Sequence, residues 1–316
     1  MRIAFLCPGQ GSQIEGYLHR LVAHAQVRET LEEASTAVQM DLCQADRPEA
    51  LRSTVAVQLG IVTAGVAMAR ALQAEGVVPD VVAGLSVGAF TAAVVAGCLR
   101  FDDALRVVLL RAQAMAAGFP RGYGMVAISG LSQPAVEDLI TELNASRAAA
   151  SDHAYLANLN SPWQFVVAGC DLALEDVIEC ARAGGARMVE RLPVSVPSHC
   201  VLLAGVAETL RGALSQCALR APVIPYVANG SARLLRTAQE VAQDLAQSVM
   251  QPVRWHECNV TMLEHGVHLF IEMPPNQVLT QLVKNLTCSV EAVAADTSNL
   301  RSLVFRAQRA QQGRDS

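Results

Sequence analysis

The pattern Gly-Leu-Ser-Val-Gly at residues 84–88 is the clearest sign of chemistry in the sequence. It has the spacing G-x-S-x-G and lies between an apolar, β-branched run and a helical run, the context in which a serine is exposed on a sharp strand-to-helix turn. The following helix would bring free N–H groups and positive dipole near the hydroxyl. The pattern predicts Ser86 as a nucleophile, and a glycine-rich turn with an ordinary serine is the alternative.

A serine nucleophile needs a base, and His199 is the best placed of the seven histidines. It closes the segment 193–199, in which Pro193 and Pro197 favour an irregular, rigid backbone. The other histidines lie on helical surface patterns, in a polar loop, or beside predicted helices and strands. Position alone leaves a structural histidine as an alternative. No histidine spacing typical of a metal site occurs, so the sequence predicts no bound metal.

A third candidate is the glycine-rich loop Pro-Gly-Gln-Gly-Ser-Gln at residues 8–13, directly after the first apolar run. Such a loop can offer backbone N–H groups to a phosphate or an oxyanion. It does not have the dinucleotide-binding spacing G-x-G-x-x-G. A simple tight turn explains the loop equally well from the residues alone.

The elements that must position these residues alternate between strands and helices. Apolar strand candidates at 2–7 and 77–83 are separated by helical patterns, which predicts a mostly parallel sheet covered on both faces. From residue 123 the order changes to βαββαβ, which is the ferredoxin-like split motif. Later strand candidates lie at 223–227, 268–272 and 291–295, and the polar residues 306–316 are expected to fray. We therefore predict a large α/β domain at 1–122 and 196–316, with a small domain inserted at 123–195.

Composition excludes several functions. The chain has 316 residues, 52% of them hydrophobic and 17% charged, with a net charge of −5, so it lacks the basic balance of a nucleic-acid-binding protein. No Gly-Lys-Ser/Thr sequence occurs, which excludes a P-loop. Lys284 is the only lysine, so Schiff-base chemistry would depend on it.

Compartment and membrane association also follow from composition. The nine cysteines are unpatterned, which favours free thiols in a reducing compartment, and we predict a cytoplasmic protein. Residues 53–69 and 81–99 carry no charge, but they are rich in Ala, Gly, Ser and Thr and have no flanking aromatic belts. They are predicted to form a buried core rather than a membrane span.

Taken together, the ordered motifs resemble the bacterial malonyl-CoA:acyl carrier protein transacylases and the related acyltransferase domains of polyketide synthases. The resemblance covers about residues 1–295. The motifs that carry it are P-G-Q-G-S-Q with Gln10, G-x-S-x-G with Ser86, Arg111, A-N-L-N-S-P at 157–162, P-V-S-V-P-S-H at 193–199 and P-V-R-W at 252–255.

The resemblance implies a large α/β-hydrolase-like domain with an inserted ferredoxin-like one, and a role for each site residue. Ser86 would be the nucleophile, His199 the general base and then acid, and the N–H groups of Gln10 and Val87 the oxyanion hole. Arg111 would bind the free malonyl carboxylate in a fork that a lysine cannot supply. The backbone carbonyl of Ser248 would orient the histidine.

The implied substrates are malonyl-CoA and the phosphopantetheine-type thiol of an acyl carrier protein, with no cofactor bound by the chain itself. The family's usual sequence at the turn that carries the nucleophile, called the nucleophile elbow, is G-H-S-L-G-E. This chain departs from it, with Leu85 for His and Ala89 for Glu. Leu85 is expected to reshape the acyl pocket. The variant resembles the malonyltransferase (epsilon) subunit of bacterial malonate decarboxylase, which would make the carrier of that complex the acceptor. The alternative is a malonyl transacylase of fatty-acid synthesis.

Two further alternatives come from other classes. A serine hydrolase also uses G-x-S-x-G, but it does not predict the 8–13 loop or the βαββαβ insert. A non-catalytic subunit that only docks a carrier protein would have no need of Ser86, His199 and Arg111. Cys200 has apolar neighbours, which predicts a buried, inert thiol.

Overall fold

The computed structural model describes residues 1–312, whose strands form two sheets. The strands are β1 (Arg2–Cys7), β2 (Val81–Gly84), β3 (Tyr123–Ser129), β4 (Ala154–Ser161), β5 (Gln164–Cys170), β6 (Met188–Arg191), β7 (Tyr226–Val227), β8 (Leu234–Leu235), β9 (Val267–Glu272) and β10 (Glu291–Ala294). The helices are α1 (Ala25–Val38), α2 (Thr54–Ala74), α3 (Gly88–Val95), α4 (Phe101–Gly118), α5 (Gln133–Ala145), α6 (Asp171–Ala183), α7 (Ala204–Ser215), α8 (Ala238–Gln247), α9 (Trp255–Glu264), α10 (Val278–Leu286) and α11 (Leu300–Gln312).

The larger sheet has the order β10-β9-β1-β2-β7-β8. Its first five strands are parallel, and only β8 runs antiparallel to its neighbour. β1 and β2 occupy the centre, and β1 is buried from Ile3 to Cys7. The predicted α/β class with a mostly parallel sheet is confirmed. Because the carboxyl ends of parallel strands meet at one edge, the loops after β1 and β2 lie together, and these are the 8–13 loop and the Ser86 turn.

The long helix α2 lies in the core of this layer. It is apolar and long enough to cross a membrane by length and composition, but 89% of its most apolar window is buried inside the protein. It packs against α1, α3 and α4. The helix begins at Thr54, where the Ser53 hydroxyl accepts the N–H of Ala56. The uncharged stretch 53–69 is therefore core, as predicted.

The smaller sheet has the order β4-β5-β3-β6, and all of its pairings are antiparallel. With α5 and α6 it forms the predicted βαββαβ motif. Because side chains alternate along a strand, β3 and β5 have two apolar faces. Val126 and Val167 pack in the core that includes residues of α5 and α6, whereas Met125 and Val166 belong to a separate cluster that includes Cys200. The second face is therefore directed towards the segment that carries His199.

The C-terminus differs from the sequence-based expectation. Fraying was predicted for 306–316, but α11 continues to Gln312. It buries Leu303, Ala307 and Ala310, and it contacts β1 and β9. These three apolar residues lie on one face of the helix, and their burial stabilises it although the segment as a whole is polar. The rest of that prediction, residues 313–316, lies outside the described residues.

Candidate active site

Ser86 lies in the turn between β2, which ends at Gly84, and α3, which begins at Gly88. A Cβ atom on Gly84 would overlap the carbonyl oxygen of Gly88, and one on Gly88 would overlap that of Cys7. Both glycines are therefore required by close backbone approach. Ser86 has a φ of 56°, a left-handed conformation that costs a non-glycine residue about 1–3 kcal/mol and is typical of functional sites.

Ser86 and His199 are hydrogen-bonded although 113 residues separate them in the sequence. The Ser86 Oγ–His199 Nε2 distance is 2.7 Å, and His199 Nδ1 lies 2.6 Å from the carbonyl oxygen of Ser248. A carbonyl oxygen can only accept, so Nδ1 carries a proton and donates it there. In the neutral ring Nε2 is then free to accept the serine proton, which is the arrangement a general base requires.

The environment of His199 keeps the imidazole neutral. Its side chain is buried, and burial together with the nearby Arg111 guanidinium lowers its pKa from 6.5 to about 4. The bond to the Ser248 carbonyl acts in the opposite direction and is the weaker influence. A histidine with this pKa is unprotonated near neutral pH and can take up a proton when Ser86 reacts.

Arg111 brings a positive charge to the nucleophile. It lies on α4 with an exposed fraction of 3%, and its Nη2 donates to Ser86 Oγ over 3.2 Å. Its Nη1 donates to Gln58 Oε1. Within residues 1–312 no carboxylate lies within ion-pair distance of this guanidinium, and burial lowers its pKa to about 10. Arg111 is thus a buried cation with only neutral partners.

Gln58 is a site residue that sequence reasoning did not single out. It is fully buried on α2, and besides Arg111 it contacts Thr54, whose hydroxyl donates to Gln10 Oε1 over 3.1 Å. One polar chain therefore connects the 8–13 loop with Arg111. The available signal was that Gln58 is the only amide side chain in the apolar stretch 53–69.

The two N–H groups predicted for the oxyanion hole are not engaged elsewhere. In the described part of the chain, the backbone N–H groups of Gln10 and Val87 make no hydrogen bond. Gln10 lines the same cavity as Ser86, and Val87 is fully buried directly after it. Unpaired N–H groups beside a nucleophile are available to a developing oxyanion.

The cavity above Ser86 has a volume of about 200 Å³ and lies between the loops at one edge of the larger sheet and a face of the smaller sheet. The 8–13 loop, Ser86, Arg111 and His199 lie on one side of the cavity, and the smaller sheet contributes an apolar wall that includes Met125, Ala127 and Val166. Leu85 also lines the cavity, in agreement with its expected influence on pocket shape. Four of the six predicted site residues line this cavity, namely Gln10, Ser86, Arg111 and His199. Val87 directly follows Ser86, and Ser248 is in contact with His199 through its carbonyl.

Cys200, next to the base, is not available for a thiol mechanism. It is 3% exposed, its Sγ donates to the carbonyl of Pro197 over 3.2 Å, and burial raises its pKa to about 11. A thiol with this pKa remains protonated near neutral pH, as predicted for an inert cysteine.

Fold and site together define an acyl-transferring class of protein: a serine and a neutral histidine at the edge of a parallel sheet, beside an unpaired buried cation. A family model described as acyl transferase domain matches residues 4–312, and the chain belongs to this family. The predicted relationship to the malonyl-CoA:acyl carrier protein transacylases is confirmed by the relatives. The chain is 36% identical over 299 residues to the malonyl CoA-acyl carrier protein transacylase of Escherichia coli K12, covering 93% of this chain and 95% of the relative.

Other relatives agree with this assignment. The enzyme of the same name from Bacillus subtilis 168 is 32% identical, with 93% of each chain covered. Among solved structures, acyl-carrier-protein S-malonyltransferase from Burkholderia pseudomallei 1710b superposes with a TM-score of 0.90 at 35% identity, covering 96% of this chain and all of that one. A malonyl-transacylase in complex with its type II PKS acyl-carrier protein has a TM-score of 0.90 at 32% identity, covering 98% and 100%.

Proposed function

We propose that the protein transfers a malonyl group from malonyl-CoA through an acyl-Ser86 intermediate to the thiol of an acyl carrier protein. The observation that carries this proposal is the buried Arg111 guanidinium, which touches Ser86 and has no carboxylate partner within residues 1–312. Burying a charge without a partner is costly. An acyl group that brings its own carboxylate into the cavity would offset that cost.

The positive charge of Arg111 also accounts for selectivity for malonyl over acetyl. A guanidinium can bind a carboxylate through two parallel hydrogen bonds, which a neutral acyl group such as acetyl cannot form. Malonyl carries a carboxylate two carbon–carbon bonds from the thioester carbonyl, so both ends fit into one small cavity. The names of the relatives, which are malonyltransferases and malonyl transacylases, support the same substrate.

The contacts of Ser86 and His199 support a two-stage reaction. Ser86 Oγ attacks the thioester carbon while its proton passes to His199 Nε2, and the carbonyl oxygen becomes an oxyanion facing the N–H groups of Gln10 and Val87. Collapse breaks the carbon–sulfur bond, and coenzyme A leaves as a thiol with the proton from His199. The carrier thiol then gives its proton to His199, attacks the acyl-serine and restores the Ser86 hydroxyl. No cofactor bound to this chain takes part.

The acceptor is better supported as a carrier of the fatty-acid type than as the carrier of malonate decarboxylase. The relatives described above are all named as malonyl transacylases or malonyltransferases of acyl carrier protein, and this favours the alternative reading over the malonate decarboxylase subunit. The departures at Leu85 and Ala89 are then variations within the transacylase family. Offering the malonylated enzyme to both carriers, each purified, decides between them by the rate at which the acyl-serine is discharged.

Intact-protein mass spectrometry after mixing with malonyl-CoA tests the intermediate. We expect a malonyl adduct on the wild type and none on Ser86→Ala; no adduct on the wild type, or one that persists in the variant, would contradict the proposal. Free malonate released without an acceptor would favour a hydrolase instead. Carrier binding with no acyl-serine would favour a docking subunit.

Two organisational proposals accompany the function. We propose residues 123–195 as an inserted domain and 1–122 with 196–316 as the discontinuous large domain, supported by separate sheets with separate apolar cores. We also propose a cytoplasmic location, supported by the nine cysteines, which are all free within residues 1–312 and four of which are buried.

A further inference from the structure

The side chain of Asn229 spans the nucleophile turn. It is 1% exposed and lies two residues after β7. Its Nδ2 donates to the carbonyl oxygen of Gly84 over 2.7 Å, and its Oδ1 accepts the backbone N–H of Ser86 over 2.9 Å. One amide group therefore holds the peptide groups on both sides of Leu85.

The two hydrogen bonds from the Asn229 side chain take the place of backbone pairing beyond the end of the β2–β7 ladder. The pairing of β2 with β7 stops at Ala83 and Val227, so the next backbone groups of β2 have no strand partner on that side. Asn229 supplies the missing donor and acceptor from a side chain. Without it, the Ser86 N–H and the Gly84 carbonyl would lose these partners, which is unfavourable for backbone groups largely shielded from water.

Asn229 is itself fixed by further contacts. Its backbone N–H donates to Asp244 Oδ2 over 3.2 Å, and its carbonyl accepts the N–H of Arg254 over 2.9 Å. Asp244 on α8 also accepts the Tyr226 hydroxyl over 2.8 Å and the Gly230 N–H over 3.3 Å. The asparagine is thus anchored to β7, α8 and the start of α9, and none of these elements contributes a side chain to the cavity.

We propose that Asn229 is a positioning residue that holds the left-handed Ser86 backbone so that Oγ stays within reach of both His199 and Arg111. The inference rests on the proposed role of Ser86 and adds to it. Oγ lies 2.7 Å from His199 Nε2 and 3.2 Å from Arg111 Nη2, and both contacts depend on the φ of 56° at Ser86. If the turn relaxed from this conformation, Ser86 Oγ would move away from His199, while the Arg111 guanidinium would keep its position for binding the malonyl carboxylate.

The test is single-turnover acylation of Asn229→Ala by malonyl-CoA, which separates binding from chemistry. We expect the acylation rate to fall by about 100-fold, since a misplacement of about 1 Å can cost that much, while the malonyl-CoA concentration at half-maximal rate stays within about threefold. An unchanged rate, or a change in half-saturation alone, would overturn the proposal. Rates are compared on folded protein, judged by circular dichroism.

Asn259→Ala is the matched control, because Asn259 is also a 1% exposed asparagine, on α9, and does not line the cavity. It should acylate at the wild-type rate, and an equal loss in both variants would show a general effect of losing a buried amide and overturn the proposal. Asn229→Asp keeps the volume and the acceptor for the Ser86 N–H but loses the donor to Gly84. The acylation rate of Asn229→Asp should fall by about tenfold, and a wild-type rate would also count against the proposal.

A fluorophosphonate probe separates failure of this inference from failure of the proposed function, because it labels activated serines without using Arg111. Labelling of wild-type Ser86 that is slowed in Asn229→Ala supports the positioning role. Equal labelling of both proteins overturns that role and leaves the function intact. A wild type that reacts with neither the probe nor malonyl-CoA overturns the proposed function itself, and the inference with it.

Discussion

The guanidinium of Arg111 donates a hydrogen bond to the Oγ atom of Ser86 over 3.2 Å, so the buried cation is in direct contact with the nucleophile. The same charge contributes to lowering the pKa of His199. One residue can therefore act on the substrate, the nucleophile and the base.

Replacing Arg111 with alanine should abolish the preference for malonyl. We expect kcat/KM for malonyl-CoA to fall by about 10²- to 10³-fold, within the range for removing one partner of a buried charge pair, while acetyl transfer is kept or gained. Arg111→Lys should recover only part of the malonyl activity, because an ammonium cannot form the planar fork. Steady-state assays with both thioesters measure this. An equal loss of malonyl and acetyl transfer would remove the proposed role of the charge.

Gln58→Glu tests the unpaired cation without removing it. A carboxylate at position 58 would accept the hydrogen bond that Arg111 now gives to Gln58 Oε1 and would neutralise the guanidinium before substrate arrives. Malonyl transfer should fall by at least about tenfold, and acetyl transfer should not fall with it. Gln58→Met serves as the uncharged comparison. If Gln58→Glu retained full malonyl activity, the guanidinium would not be the carboxylate site.

The pH dependence of acylation should show the lowered pKa of His199. The neutral ring is the active form, so kcat/KM falls as pH drops through the pKa of the free enzyme, which is about 4 rather than 6.5. In Arg111→Ala, measured with acetyl-CoA, the lost charge should move this acid limb to higher pH. The shift should stop short of 6.5, since burial is the larger cause and remains. A wild-type limb near 6.5, or the same limb in both proteins, would contradict this account.

The parts of the site that could be predicted from sequence are those with a local signature. The elbow around Ser86 requires glycines on both sides of a turn, and the βαββαβ order could be read from strand and helix patterns. Ser248 acts through its carbonyl, so its side chain carries no signal, and it was assigned only through the family resemblance. Gln58 and Asn229 contact the site across 53 and 143 or more residues, and such contacts exist only in the folded chain.

The region after residue 200 is harder to predict. Its sequence patterns predict strands at 223–227, 268–272 and 291–295 but not the helices α7, α8 and α9. α8 begins with a capping box between Thr237 and Glu240, a signal present in the sequence, but β7 and β8 have only two residues each. Strands this short depend on their neighbours in the sheet rather than on local propensity.

Gly88→Ala should be strongly destabilising and inactive, because the added methyl group would overlap the carbonyl oxygens of Cys7 and Pro8 at the end of β1. The backbone at Gly88 and the backbone at Cys7 cannot move apart without disrupting the pairing of β1 with β2. We therefore expect a loss of about 3 kcal/mol in the free energy of unfolding, at the upper end for overpacking. Gly212→Ala is the control. Gly212 lies on α7 with nothing near its missing Cβ, and alanine there should stabilise the protein by about 0.5–1 kcal/mol. Urea denaturation of both variants measures the difference, and a Gly88→Ala protein as stable as the wild type would show that the elbow is looser than its geometry indicates.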